Sequence, residues 1–265
     1  MNIKRFLSLV TLAATGIASC ALGQGMFGRR TKDPSEQLAK IFGKNTAFTA
    51  TAHMTVTGAA DKHLQGMEFR YAVLDGKFRS EMDMTKIQTS EIPPQAMESM
   101  KQMGMDRSVH IMLPDQKKMY TLYPSMKAYV ETSTSDMTSE TERKEPKIEE
   151  TKLGSETVDG HLCTKSKITV TDENGKQIEA VLWKAADLKD FPIQTQMTPN
   201  ENTTVTTKFT DINLSKPSAS LFEPPADYKR YASMQELMMS NMQRMMPPDG
   251  MPPRGGMPPR GGNNE

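Results

Sequence analysis

Methionine is the residue most available for chemistry in this sequence, at 23 of 265 positions. Thioethers at Met97, Met100 and Met103, and again at Met238, Met239, Met242 and Met245, recur at helical spacing and could offer soft ligands to Cu(I). An unbranched, polarizable side chain also fills irregular cores and lines adaptable apolar grooves. No His or Cys reinforces either run, and methionine is spread through other segments as well. Packing or groove lining is therefore the favoured role, Cu(I) binding the alternative, and no metal site is assigned.

The four histidines, His53, His63, His110 and His161, are scattered. The sequence holds no His-Glu-x-x-His, no Cys-x-x-Cys, no phosphate-binding glycine loop and no Gly-x-Ser-x-Gly elbow. No catalytic residue or cofactor is assigned, and the chain reads as a non-enzyme. Asp172-Glu173-Asn174-Gly175 resembles the middle of a calcium loop, but Val170 and Val181 stand where the first and last ligands are needed, so it reads as a hairpin turn. Cys163 lies in a strand pattern with His161 two residues away, and reads as a small core residue.

With 33 Lys+Arg against 32 Asp+Glu, the chain has no basic field to attract phosphate backbones, which argues against nucleic acid as a partner. No apolar run approaches the roughly 20 residues a helical membrane span needs. The N-terminus does carry a secretory pattern: Lys4 and Arg5, then an uncharged apolar stretch from Phe6 to Ile17, then small residues. Two cleavage readings stay open. Ile17-Ala18-Ser19-Cys20 resembles a bacterial lipobox and would make Cys20 a lipid-attachment residue holding the protein on a membrane. Ala21-Leu22-Gly23 before Gln24 suits ordinary signal peptidase and would discard Cys20. Both place the mature chain in the periplasm or on the outer membrane, with Cys163 unpaired and stability left to packing.

These residues must be positioned by a mainly β chain. Asp33-Pro34-Ser35-Glu36 opens a short helix that Gly43 stops. From Phe48 strict alternation begins: Phe48, Ala50, Ala52, Met54 and Val56 share one face of a half-buried strand. Further strands are expected at Met67 to Leu74, Lys77 to Met84 after the Asp75-Gly76 turn, Ser108 to Leu113, Lys117 to Leu122 and Lys127 to Thr132, in one meandering sheet. Pro93 to Met105 reads as a helix, and Ser133 to Pro146 as a solvated loop dividing the sheet. Beyond it, a turn at Glu173-Asn174-Gly175 would align Val170 with Ile178, Ile168 with Ala180 and Ser166 with Leu182. Ile193 to Met197 and Thr203 to Leu214 add strands, the latter bulged near Asp211. Ser233-Met234-Gln235-Glu236 is a capping box for a helix whose Met234, Leu237, Met238, Met242 and Met245 are expected on one face. The end of the chain repeats Met-Pro-Pro-Arg-Gly-Gly and is expected to be disordered. The expected divisions are a signal segment at 1–23, or 1–19 in a lipoprotein, a tether and helix at 24–44, a β domain at 45–231, a Met-rich helix at 232–246 and a tail at 247–265.

Several segments resemble a known family: Ser108 to Val130 (SVHIMLPDQKKMYTLYPSMKAYV), Glu156 to Lys165 (ETVDGHLCTK), Leu182 to Ile193 (LWKAADLKDFPI) and Leu221 to Tyr228 (LFEPPADY). They look like an uncharacterised bacterial envelope domain family related to the outer-membrane lipoprotein carrier and receptor (LolA/LolB-like) fold. The resemblance spans about Phe48 to Tyr231. It implies a half-open antiparallel β-barrel with helices across its mouth, in the α+β sense mainly β, and carries no established activity. It further implies an apolar cavity for acyl chains, lipid or lipoprotein, lined here by strand residues such as Phe48, Met54 and Val56 and by Met97, Met100 and Met103. Trp183 and Phe191-Pro192 are open between core and cavity wall. The resulting expectation is a monomeric envelope protein that binds an apolar ligand, with a purely structural or interaction role as a further alternative.

Overall fold

The computed structural model describes residues 42, 44–58, 63–89, 92–134, 147–171, 177–200 and 202–245. The signal segment with Cys20, the helix expected before Gly43 apart from Phe42, the 172–176 turn and the proline-glycine tail lie outside the described residues. The strands are β1 (Ala47–Thr57), β2 (His63–Leu74), β3 (Lys77–Asp83), β4 (Gln88–Thr89), β5 (Arg107–Leu113), β6 (Lys118–Tyr123), β7 (Ala128–Ser133), β8 (Lys147–Val158), β9 (His161–Thr171), β10 (Gln177–Ala185), β11 (Phe191–Asn200), β12 (Thr203–Asn213) and β13 (Lys229–Tyr231). Two helices, α1 (Pro94–Gln102) and α2 (Met234–Met245), accompany them.

All thirteen strands belong to one sheet in the order β13-β7-β6-β5-β3-β2-β1-β12-β11-β10-β9-β8, with β4 beside β2. Two antiparallel meanders, β1 to β7 and β8 to β12, are joined where β1 pairs β12. The ends of the order, β8 and β13, do not pair with each other, so the barrel is half open.

Local chemistry accounts for much of this. The apolar set of β1 is buried as alternation requires. Asp75 and Gly76 both have positive φ, the geometry of the tight two-residue turn that matches strand twist. Val170 pairs Ile178, Ile168 pairs Ala180 and Ser166 pairs Leu182, the expected register. A bulge falls in β12 where Thr49 pairs Asn213 but Thr51 pairs Thr210, with Asp211 left-handed at φ 51. Three 3-10 turns, at Pro114–Gln116, Pro124–Met126 and Ala186–Leu188, each end on a left-handed lysine: Lys117, Lys127 and Lys189.

Strand β8 is absent from the sequence expectation. It is an edge strand carrying Glu149, Glu150, Lys152 and Glu156, with Leu153 exposed, so it buries no apolar stripe to announce itself. The polar segment before it therefore connects β7, next to the β13 edge, with β8 at the other edge of the sheet.

The two faces of the sheet are packed differently. On the inner face Phe42, Phe48, Phe191 and Phe209 form a ring cluster. Phe48 and Phe191 stand on strands two apart, roughly 10 Å across a flat sheet. Their rings meet at 4.9 Å, because the face is concave. On the outer face Ala72, Leu74, Val109, Ile111, Leu113 and Leu122 are covered by Phe222, with Leu221 and Tyr228 alongside.

Candidate functional site

Strand register defines which side chains share the inner face. From Tyr71 on β2 one row runs through Ser80, His110, Thr121 and Val130. The next runs from Val73 through Phe78, Met112 and Met119 to Thr132. Over β1 and β2 this face is filled: Phe48, Ala52, Met54, Phe69 and Tyr71 are all buried. Beyond Phe78, Ser80 and Met112, which are still buried, the cover thins over the end of β3 and over β5 and β6. Met82, Ser108, Met119 and Thr121 are half-buried there and His110 is exposed. The burial is partly inverted in β5 and β6, where the outer-face residues Val109, Ile111 and Leu122 are closed over while inner-face His110 is exposed and Met119 and Thr121 are half-buried; in β3 the inner-face Phe78 and Ser80 stay buried.

The open stretch has walls. On one side stands the aromatic core, with Tyr71 and Phe78 rings 5.3 Å apart. On the other, α2 packs Leu237 against Ala128, Val130 and Tyr231, the inner-face residues of β7 and β13. Tyr231 Oη lies 3.1 Å from Ser240 Oγ, and the helix start is capped by Ser233 Oγ, which accepts from Glu236 N, while Glu236 Oε2 accepts from Ala232 N, a shifted form of the capping box. At the rim Asn241 Nδ2 donates to the carbonyl of Met103 at 2.8 Å, tying α2 to the end of α1. Helix α1 begins on Pro94 and ends in a left-handed Gly104, with Met105 N bonded to Met100 O and Gly104 N to Lys101 O. The result is a groove roughly three strand spacings, or 14 Å, across. Its floor mixes methionine with uncharged polar side chains. Desolvation by the surrounding protein holds the His110 pKa below the ordinary histidine value, and burial pushes the Tyr123 hydroxyl up.

Residues 48–198 match the family described as Domain of unknown function (DUF4412). The chain belongs to that family. No curated protein matches the sequence. Among solved structures, the DUF4412 chain is similar to the lipoprotein LppX of Mycobacterium tuberculosis, at 11% identity over 68% of this chain and 91% of that one, TM-score 0.35. It is similar to LprF of Mycobacterium bovis, at 12% identity over 73% and 97%, TM-score 0.34. A LolA superfamily protein of Nitrosomonas europaea is also similar, at 10% identity over 71% and 95%, TM-score 0.28.

The residues singled out in the DUF4412 sequence divide by place. Phe48, Met54 and Val56 lie on the inner face but in its filled part, Phe48 wholly enclosed. Met97, Met100 and Met103 are half-buried on and just after α1, at the rim. Trp183 and Phe191 are core, the indole donating to Glu156 Oε2 at 2.9 Å. Cys163 is fully buried, its thiol pushed up by burial, and His161 pairs with Asp187 at 2.7 Å. The face expected for α2 needs correction. Leu237 and Asn241 turn inward, whereas Met242, like Met239, is exposed. The helix is short and packs along 234, 237 and 241, which carries 242 round to solvent.

Ser80, His110 and Thr121 were not anticipated as site residues. β3 and β5 are separated by β4 and α1, so no tight turn fixes their register. The alternation of Val109 and Ile111 around His110 was the available signal that His110 faces the other way.

Proposed function

We propose that this chain is a non-enzymatic cell-envelope protein that holds an apolar ligand, an acyl chain of a lipid or lipoprotein, in the open half of its inner face. The observation that carries this reading is the thinning of cover over the end of β3 and over β5 and β6, where the apolar face continuing from the core leaves Met82 and Met119 half-buried and His110 exposed. Contiguous apolar surface left accessible inside a walled groove is ordinarily a binding site. Methionine suits chains of varied shape because it repacks at little loss. No described helix is long and apolar enough to cross a membrane. The export segment, with Cys20 as lipid attachment, would place the groove in the periplasm or at the outer membrane, and the protein would act as a monomer.

The test is binding of N-phenyl-1-naphthylamine, an uncharged hydrophobic dye, to detergent-free folded protein, with organic extraction of the same preparation. Saturable dye emission, weakened when Met119→Trp fills the groove, supports the proposal. Dye emission that is absent, or that Met119→Trp leaves unchanged while the fold is intact, overturns it.

A further inference from the structure

Within the groove the rows of the sheet are chemically unequal. The row of Phe78, Met112 and Met119 is apolar, whereas the adjoining row sets Ser80, His110 and Thr121 side by side on three neighbouring strands. Their hydrogen-bonding capacity is largely unspent. Thr121 Oγ1 lies 3.4 Å from His110 Nδ1, a long contact. Neither His110 Nε2 nor Ser80 Oγ makes a side-chain hydrogen bond among the described residues, although Ser80 is only 5% exposed. The Ser80 hydroxyl oxygen is not cut off from solvent, so water meets it, and the exposed His110, until a ligand group replaces those bonds. No Lys, Arg, Asp or Glu stands in either row from β2 to β7.

Resting on the groove proposed above, we infer that Ser80, His110 and Thr121 form a polar subsite that selects apolar ligands ending in an uncharged hydrogen-bonding group, an ester, amide or hydroxyl, over the same chains ending in a carboxylate. An uncharged head needs only donors and acceptors, which the row supplies from three strands. A carboxylate would have to shed its water against neutral side chains with no cation on the same rows to receive it. The crowding that lowers the His110 pKa disfavours a charge there and acts in the same sense. Hydrogen-bonding sites discriminate strongly against ligands that cannot complete them.

The experiment is displacement of bound N-phenyl-1-naphthylamine by monopalmitoylglycerol and by palmitate, above the histidine titration range, with the folded protein. Wild type should be displaced by the glycerol ester at about tenfold lower concentration than by palmitate. The paired variants Ser80→Ala and His110→Leu should bring the ratio near one while displacement persists, and Thr121→Val gives a second, isosteric reading should either of those fail to fold. Equal displacement by both ligands in wild type, or a ratio that survives the substitutions, overturns the polar subsite and leaves the groove standing. Failure of the dye to bind at all overturns the groove and the subsite together.

Discussion

Asn241 and Met103 are 138 residues apart in sequence, yet the Asn241 amide donates to the Met103 carbonyl at 2.8 Å. This bond joins the methionine-bearing helices α1 and α2 at the rim of the groove. It also satisfies a carbonyl at the end of α1 that would otherwise have no helical partner. Because α1 buries no residue fully, such tethers contribute much of what holds it in place.

Asn241→Leu should lower stability by about 1 kcal/mol, the usual worth of one hydrogen bond, and raise amide exchange across residues 94–105 more than elsewhere. Hydrogen-exchange mass spectrometry checks this. Exchange in α1 that does not change would show the rim to be held by other contacts.

Gly104 is required by both backbone and packing. Its φ is +70, and a Cβ there would stand 2.6 Å from Met126 Cγ. Gly104→Ala should destabilise by about 1–2 kcal/mol from the left-handed conformation, with Met126 displaced in addition. Urea denaturation measures it, and a midpoint equal to wild type would contradict the left-handed stop.

The outer cover is pinned by Arg79, whose Nη1 donates to the Leu221 carbonyl at 2.8 Å while Nη2 pairs with Glu81 at 2.6 Å. Phe222 beneath it is 1% exposed. Phe222→Ala should lower stability by about 3–5 kcal/mol. Arg79→Met should lower it by about 1.5–3 kcal/mol, since the lost bond is to a charged donor. If thermal unfolding ranked them the other way, the cover would be held by its backbone rather than by its ring.

Several features are legible in the sequence because local chemistry decides them. The Ser233–Glu236 capping box, the Asp75-Gly76 turn, the Val170–Ile178 register and the Asp211 bulge each follow from a few neighbouring residues. The Asp159-Gly160 turn, with both residues at positive φ, marks the β8–β9 hairpin. Its upstream strand is hidden because Lys152 and Glu156 at a sheet edge replace an apolar stripe with charge. The methionine-rich rim is visible as composition, but the groove floor depends on β3 pairing β5 across an intervening helix, which no short-range pattern fixes. Phe48, Met54 and Val56 show correctly which face turns inward, and only the tertiary packing of Phe42, Phe191 and Phe209 decides that this part of it is closed.

Acid should weaken the fold in two separable windows. Lys184 Nζ donates to Glu150 Oε1 at 2.7 Å, and this bond, with that from Ser166, outweighs partial burial and holds the Glu150 carboxyl below its ordinary value. A depressed carboxylate pKa stabilises the fold above the unfolded value, about 4.3, and that contribution fades as pH falls through the lower folded value. His110 is also depressed, by desolvation from the protein packed around it. As pH drops below about 6.5 the unfolded chain therefore takes up a proton that the folded chain resists, and stability falls there first. His110→Gln should flatten the upper part of the stability curve and Glu150→Gln the lower part, measured by urea unfolding across the acid range. If His110→Gln left the near-neutral slope intact, His110 would titrate freely in the fold, and the crowded position assigned to it in the groove would be wrong.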